Sequence, residues 1–157
     1  MTASAYYAMK RAGAAAEPKR VGNLTVYPEV EQGSEEWFDH RRGLVTASVV
    51  AKLLTPTLKV ADNDTSRALT TTLIAERISG WTEDTPTSFD MIRGVEMEPY
   101  ARDIYSTHYQ QAECVGFMLL EADGWSLGAS PDGLVGVDGG IEIKAPRAKT
   151  HLSTILA

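Results

Sequence analysis

Three residues near the end of the chain carry the strongest chemical signal: Asp132 in S-P-D-G-L, and Glu142 and Lys144 in I-E-I-K. In an extended strand the side chains alternate, so Ile141 and Ile143 face one side while Glu142 and Lys144 face the other. The D-G-G at 138–140 signals a short hairpin between the last two strands, and a three-residue turn would bring Asp132 alongside Glu142. Two converging carboxylates repel unless a cation lies between them, and hard oxygen ligands suit Mg²⁺ or Mn²⁺. A neighbouring lysine can orient or activate water and offset phosphate charge, which makes metal-assisted phosphodiester hydrolysis the chemistry to expect. Each fragment also has an ordinary structural explanation. Pro-Asp-Gly is a common turn, and Glu-x-Lys on a strand is a common surface ion pair.

The elements that must position these groups follow from pattern. Residues 1–20, rich in Ala and without an apolar period, read as a flexible leader. L-T-V-Y, ended by Pro28, is a short strand. Ser34 caps a helix that carries Glu35 and Glu36 in its first turn and ends near Gly43. Thr46 is expected to cap a second helix, T-A-S-V-V-A-K-L-L, stopped by Pro56, and residues 55–66 form a polar loop. Ser66 caps a third helix with Leu69, Leu73, Ile74 and Ile78 buried and Gly80 at its end. A fourth helix covers about 89–107, with Pro99 requiring either a start near Met97 or a kink. From residue 113 strands take over, in the order C-V-G-F-M-L-L-E-A, W-S-L-G-A-S, G-L-V-G-V and G-I-E-I-K-A-P, and a last helix begins in K-T-H-L-S-T-I-L-A. Helices followed by a strand meander and a returning helix define an α/β (α+β) domain, a mixed sheet flanked by helices. Trp37 and Tyr100 are expected in the core, and His108 and His151 have no assigned role.

Composition narrows the function. The 157 residues, 43% hydrophobic, suffice for one core. The single cysteine, Cys114, excludes an internal disulfide framework and a four-cysteine metal site within one chain. No apolar run reaches the roughly 18 residues of a membrane span, and the first residues lack a signal h-region, so a soluble cytoplasmic protein is expected. The net charge of −6 is the wrong sign for a general nucleic-acid coat. The acid is concentrated in residues 61–130, with twelve acidic against four basic groups, while 1–60 holds eight basic against six. Basic pairs such as Lys19-Arg20 and Arg41-Arg42 leave a local basic groove open.

With these residues in view, the chain resembles the PD-(D/E)XK nuclease superfamily, in the branch of lambda exonuclease and YqaJ-type viral recombinases. S-P-D-G-L followed by I-E-I-K-A-P is similar to the motif core, W-F-D-H-R-R-G-L-V-T-A-S at 37–48 to the N-terminal block, and R-G-V-E-M-E-P-Y-A-R-D-I-Y at 93–105 to the helical block. The resemblance implies a restriction-endonuclease-like core over residues 21–157 that continues, in relatives, for several dozen residues beyond the motif lysine. It implies that Asp132, Glu142 and Glu98 are catalytic metal ligands, with the main-chain carbonyl of Ile143 as a third donor type and Lys144 as the motif lysine. Glu98 is preferred over Glu96 by family spacing alone. Arg41 matches the arginine that holds the 5′ phosphate and Ser48 the serine that assists it, with donors near Thr46 consistent with that role. The implied activity is 5′ to 3′ exonucleolytic hydrolysis at double-stranded DNA ends with Mg²⁺ or Mn²⁺, two ions in all. A ring-shaped homotrimer and a single-strand annealing protein as partner in phage recombination are also implied. A different PD-(D/E)XK endonuclease, a RecB-like repair nuclease and a non-catalytic assembly partner stand as alternatives.

Overall fold

The last hairpin sits in a smaller sheet, and a larger mixed sheet lies elsewhere in the chain. A computed structural model describes residues 17–83 and 87–157; most of the expected leader lies outside the described residues. The described chain divides into two compact units, residues 17–83 with 115–130 and residues 87–114 with 131–157.

The first unit is built on a five-stranded sheet of β1 (Lys19–Val21), β2 (Leu24–Tyr27), β3 (Val45–Thr46), β5 (Phe117–Ala122) and β6 (Trp125–Ala129), in the order β1-β2-β5-β6-β3. All neighbours are antiparallel except β3, which runs parallel to β6 with Thr46 opposite Gly128. Lys19 and Arg20 therefore belong to an edge strand, not to a leader. Helix α1 (Glu35–Arg41) starts where Ser34 accepts from the Trp37 N–H, as the sequence predicts. Its apolar face supplies Trp37 to a core with Val30 and the fully buried Phe117, packed by Tyr27, Leu44 and Leu119.

Two expectations fail here for identifiable reasons. Thr46 caps no helix. It is a buried strand residue, and only one 3₁₀ turn, Val50–Leu53, follows it without a side-chain cap. The β-branched residues Val45, Thr46, Val49 and Val50 favour extended backbone and resist a long helix. Helix α2 (Asp64–Ser79) is capped three residues earlier than expected, by Asn63, with Ser66 at the third helical position closing a reciprocal capping box. Gly80 ends it in the left-handed region, as predicted. Its apolar stripe splits: Leu69 is buried and Leu73 half-buried, but Ile74 and Ile78 are 51% and 82% exposed. The inward row runs through 69, 73 and 76, and residues 74 and 78 are rotated off it.

The second unit holds helix α3 (Phe89–His108), a three-stranded antiparallel sheet of β4 (Ala112–Glu113), β7 (Gly133–Val135) and β8 (Gly139–Ile141) in the order β4-β7-β8, and helix α4 (Ala148–Ile155). Helix α3 continues through Pro99 from a Ser88 cap, so it does not start near Met97. The turn between β7 and β8 is 136–138, with Gly136 at φ 64, and the two glycines of D-G-G belong to β8. Among the described residues no helix is long and apolar enough to cross a membrane.

Close packing at β6 generates a test. A Cβ at Gly128 would lie 2.6 Å from Phe117 Cζ and 2.8 Å from a Leu44 methyl. Gly128→Ala should therefore lower stability by about 1–3 kcal/mol in denaturant unfolding; an unchanged midpoint would show that this core can yield.

Candidate active site

The β7–β8 register pairs Gly133 with Ile141, so one step further places Asp132 opposite Glu142. The burial alternation also holds, with Ile141 and Ile143 half-buried and Glu142 and Lys144 exposed. The regular strand ends at Ile141, and the segment that follows is fixed by Asp132, whose Oδ2 accepts from the Ile143 N–H. Lys144 Nζ donates to Glu142 Oε1, and this partner is the largest reason that the Lys144 pKa is raised.

Helix α3 brings Glu98 to the same group. Burial, first, and the negative charge of Asp132, second, raise the Glu98 pKa, Glu142 adds to the effect, and Arg102 opposes it. Glu96 is exposed, whereas Glu98 is half-buried. Tyr100, expected in the core, is 53% exposed.

Arg102 is the residue that sequence reasoning missed. It is 4% exposed, pairs through Nη2 with Glu98 Oε1 one turn away, and donates through Nε to the Asp132 carbonyl at 2.5 Å. Two signals were there: the four-residue spacing from Glu98, which is ordinary on any helix, and the Ala-Arg of the helical block at 93–105, to which no role was attached. A second guanidinium, Arg93, donates to the Ala145 carbonyl at 2.7 Å, so α3 grips the chain on both sides of the hairpin. Asp90 completes this by accepting from Arg147 Nε at 2.9 and 3.0 Å.

The donor chemistry fits a hard divalent cation, since all three acids offer oxygen. As they stand, each acid turns to a donor of the chain: Glu98 to Arg102, Asp132 to the Ile143 N–H, Glu142 to Lys144. Among the described residues no three acids, histidines or cysteines are grouped closely enough to enclose an ion in this arrangement.

The other unit holds a cationic cluster, and it unites all three residues expected there. Arg41 Nη2 donates to Ser48 Oγ at 3.2 Å and to Thr46 Oγ1 at 3.4 Å, and the two hydroxyls are 3.0 Å apart. The guanidinium stacks over Trp37, 4.0 Å from the ring centroid, and Trp37 is fixed in turn by donating to Ser130 Oγ at 2.8 Å. Burial lowers the Arg41 pKa, which Glu76 partly opposes. Arg42, Arg67, Arg93, Arg102 and Arg147 each pair with a carboxylate, whereas Arg41 is held by two hydroxyls and an indole.

The sheet, the acid-bearing hairpin and the helix behind it define a nuclease-like α/β fold, and comparison with solved structures agrees. An alkaline exonuclease, LHK-Exo, from Laribacter hongkongensis matches with a TM-score of 0.64 at 39% identity, over 78% of this chain and 59% of that one. The same exonuclease in complex with dAMP matches with a TM-score of 0.58 at 38% identity and the same coverage. Residues 36–157 match the YqaJ-like viral recombinase domain, and the chain belongs to that family. It spans 59% of the length of the exonuclease chains it matches. No curated protein matches it.

Two predictions follow from the α3 contacts. Arg102→Ala leaves Glu98 half-buried without its partner and should cost about 3–5 kcal/mol in denaturant unfolding; a loss below about 1 kcal/mol would contradict a structural role for this guanidinium. Hydrogen bonding from Arg147 holds the Asp90 carboxyl below its usual range. Its contribution is therefore present above the ordinary aspartate range and fades as pH falls through the lowered value. Melting temperatures of the wild type and Asp90→Asn should differ at neutral pH and converge in acid, and parallel curves would count against the tether.

Proposed function

We propose that this chain is the nuclease domain of a phage-type recombination exonuclease that hydrolyses phosphodiester bonds at the ends of double-stranded DNA, in the 5′ to 3′ direction. Membership of the YqaJ-like family and the likeness to an alkaline exonuclease support the class of reaction. The relative that is seen with dAMP supports a nucleotide product. The observation that carries the reading is the hairpin register, which puts Asp132 across from Glu142 with Lys144 on the same face and Glu98 within their electrostatic reach.

Glu98, Asp132 and Glu142, with the Ile143 carbonyl, would hold Mg²⁺ or Mn²⁺, two ions in all. When bound, such a cation supplies Lewis-acid stabilisation of phosphate charge and a more acidic water. The protein's own groups do the rest. Lys144, protonated and exposed beside Glu142, offsets charge on the scissile phosphate and orients a water. Arg102 keeps Glu98 and the residue-132 backbone at a fixed separation. Arg41, Thr46 and Ser48 present a guanidinium edge and two hydroxyls to a terminal 5′ phosphate, a charge-assisted set that suits phosphate oxygens. A homotrimeric ring and a single-strand annealing partner belong to the same proposal and rest on the family alone.

One observation favours a second reading. Each acid already has an internal partner, as in a purely structural ion-pair network, so a non-catalytic assembly role is the competing account.

Linear duplex incubated with Mg²⁺ or with chelator separates the two. Mononucleotides released from the ends, only with the ion, are the expected outcome, and inert DNA under every condition would support the structural network. Asp132→Asn and Lys144→Ala should each reduce turnover by about 100-fold or more with the circular dichroism spectrum unchanged. Arg41→Ala should slow cleavage on 5′-phosphorylated ends and leave 5′-hydroxyl ends at their own rate; equal effects on both would refute the phosphate role.

A further inference from the structure

The turn that separates Arg41 from Thr46 is held from outside. Gly43 follows α1 at φ 65, in the left-handed region, and the Leu44 N–H returns to the Arg41 carbonyl at 2.9 Å. The main-chain groups of Gly43 itself go to consecutive residues of α2. Its N–H donates to Glu76 Oε2 at 2.7 Å, and its carbonyl accepts from Arg77 Nε at 2.7 Å. Glu76 and Arg77 thus both turn to one residue of a distant segment, through its two flanking peptide groups. The approach is close enough that a Cβ at Gly43 would lie 3.0 Å from the Leu73 carbonyl and 3.1 Å from Arg77 Cδ.

We infer that Glu76 and Arg77 are positioning residues for the Arg41 cluster, clamping Gly43 through its N–H and its carbonyl so that the Arg41 guanidinium stays aligned with the Thr46 and Ser48 hydroxyls. The inference rests on the reading of Arg41 as a phosphate-binding group. On one side of the clamp Arg41 is fixed by the Trp37 face, and on the other Thr46 is fixed by its pairing with Gly128. Gly43 is the joint between them, and α2 is suited to hold it because both its ends are capped, by Asn63 and by Gly80. The Glu76 carboxylate has a second effect. It favours the charged form of Arg41 against burial, and its negative charge also opposes an incoming phosphate. Clamp and charge can be separated, because a carboxamide still accepts from the Gly43 N–H.

The test uses the full chain carrying Asp132→Asn, to prevent cutting, with blunt duplexes ending in 5′ phosphate or 5′ hydroxyl, their affinities measured by fluorescence anisotropy. The quantity of interest is the affinity ratio between the two ends. Arg41→Ala should bring that ratio close to one. Glu76→Ala should lower it about tenfold with hydroxyl-end binding unchanged. Glu76→Gln keeps the clamp and removes the repelling charge, so it should raise the ratio roughly threefold above the parent's. If Glu76→Ala does not fold, Arg77→Met gives the same test through the carbonyl side of the clamp. A parental ratio in Glu76→Ala or Arg77→Met, alongside its loss in Arg41→Ala, overturns the clamp alone. A ratio that Arg41→Ala does not change overturns the phosphate reading itself.

Discussion

A single buried guanidinium reconciles the charges of the acid cluster. Hairpin strands of three residues are marginal by themselves, and a carboxylate at the mouth of such a hairpin facing another across it tends to force it open. Arg102 counters this from α3 by binding the Glu98 carboxylate and the carbonyl of Asp132 together. It neutralises part of the local negative charge and ties the helix to the hairpin with one side chain. Burial of the cation strengthens both contacts, and both partners are needed, since a desolvated guanidinium without them would be costly. Arg93 repeats the device at Ala145, so the hairpin is held at its entry and at its exit by donors one helix supplies.

The second cluster solves the converse problem. In a chain of net charge −6, five of the described arginines pair with a neighbouring carboxylate. Arg41 is kept from that fate by position: the acid near it, Glu76, is occupied by the Gly43 N–H, and the groups that touch Arg41 are neutral hydroxyls and an aromatic face. A cation so placed retains its attraction for an anion from outside. The overall sign of the protein charge therefore says little about its local affinity for phosphate.

Local signals in the sequence were sufficient for elements whose causes are local. The Ser34 cap, the Gly80 stop, the change from helical to strand period near residue 113 and the alternation of I-E-I-K all appear as read. The hairpin and the approach of Asp132 to Glu142 were also read, but the turn was placed on D-G-G, whereas it lies at 136–138 and both glycines belong to β8. Where two residues could serve one local role, the reading slipped. Asn63 and Ser66 are both good caps, and the structure uses the first as cap and the second as its reciprocal partner. Thr46 looked like a cap because its partner strand, β6, lies some eighty residues along the chain. Arg102, Glu76 and Arg77 act on main-chain carbonyls or amides of distant segments, and such contacts leave no residue-type pattern to find.

The turn at 136–138 has a consequence for how this domain can vary. Side chains on β8 change face at every step, so one residue added or removed between Gly139 and Glu142 would send the glutamate to the side now occupied by Ile141 and Ile143. Length changes within the turn itself leave that parity untouched. A change in the interval between these two acids can therefore be accommodated at the tip of the hairpin, while its arms keep a constant length.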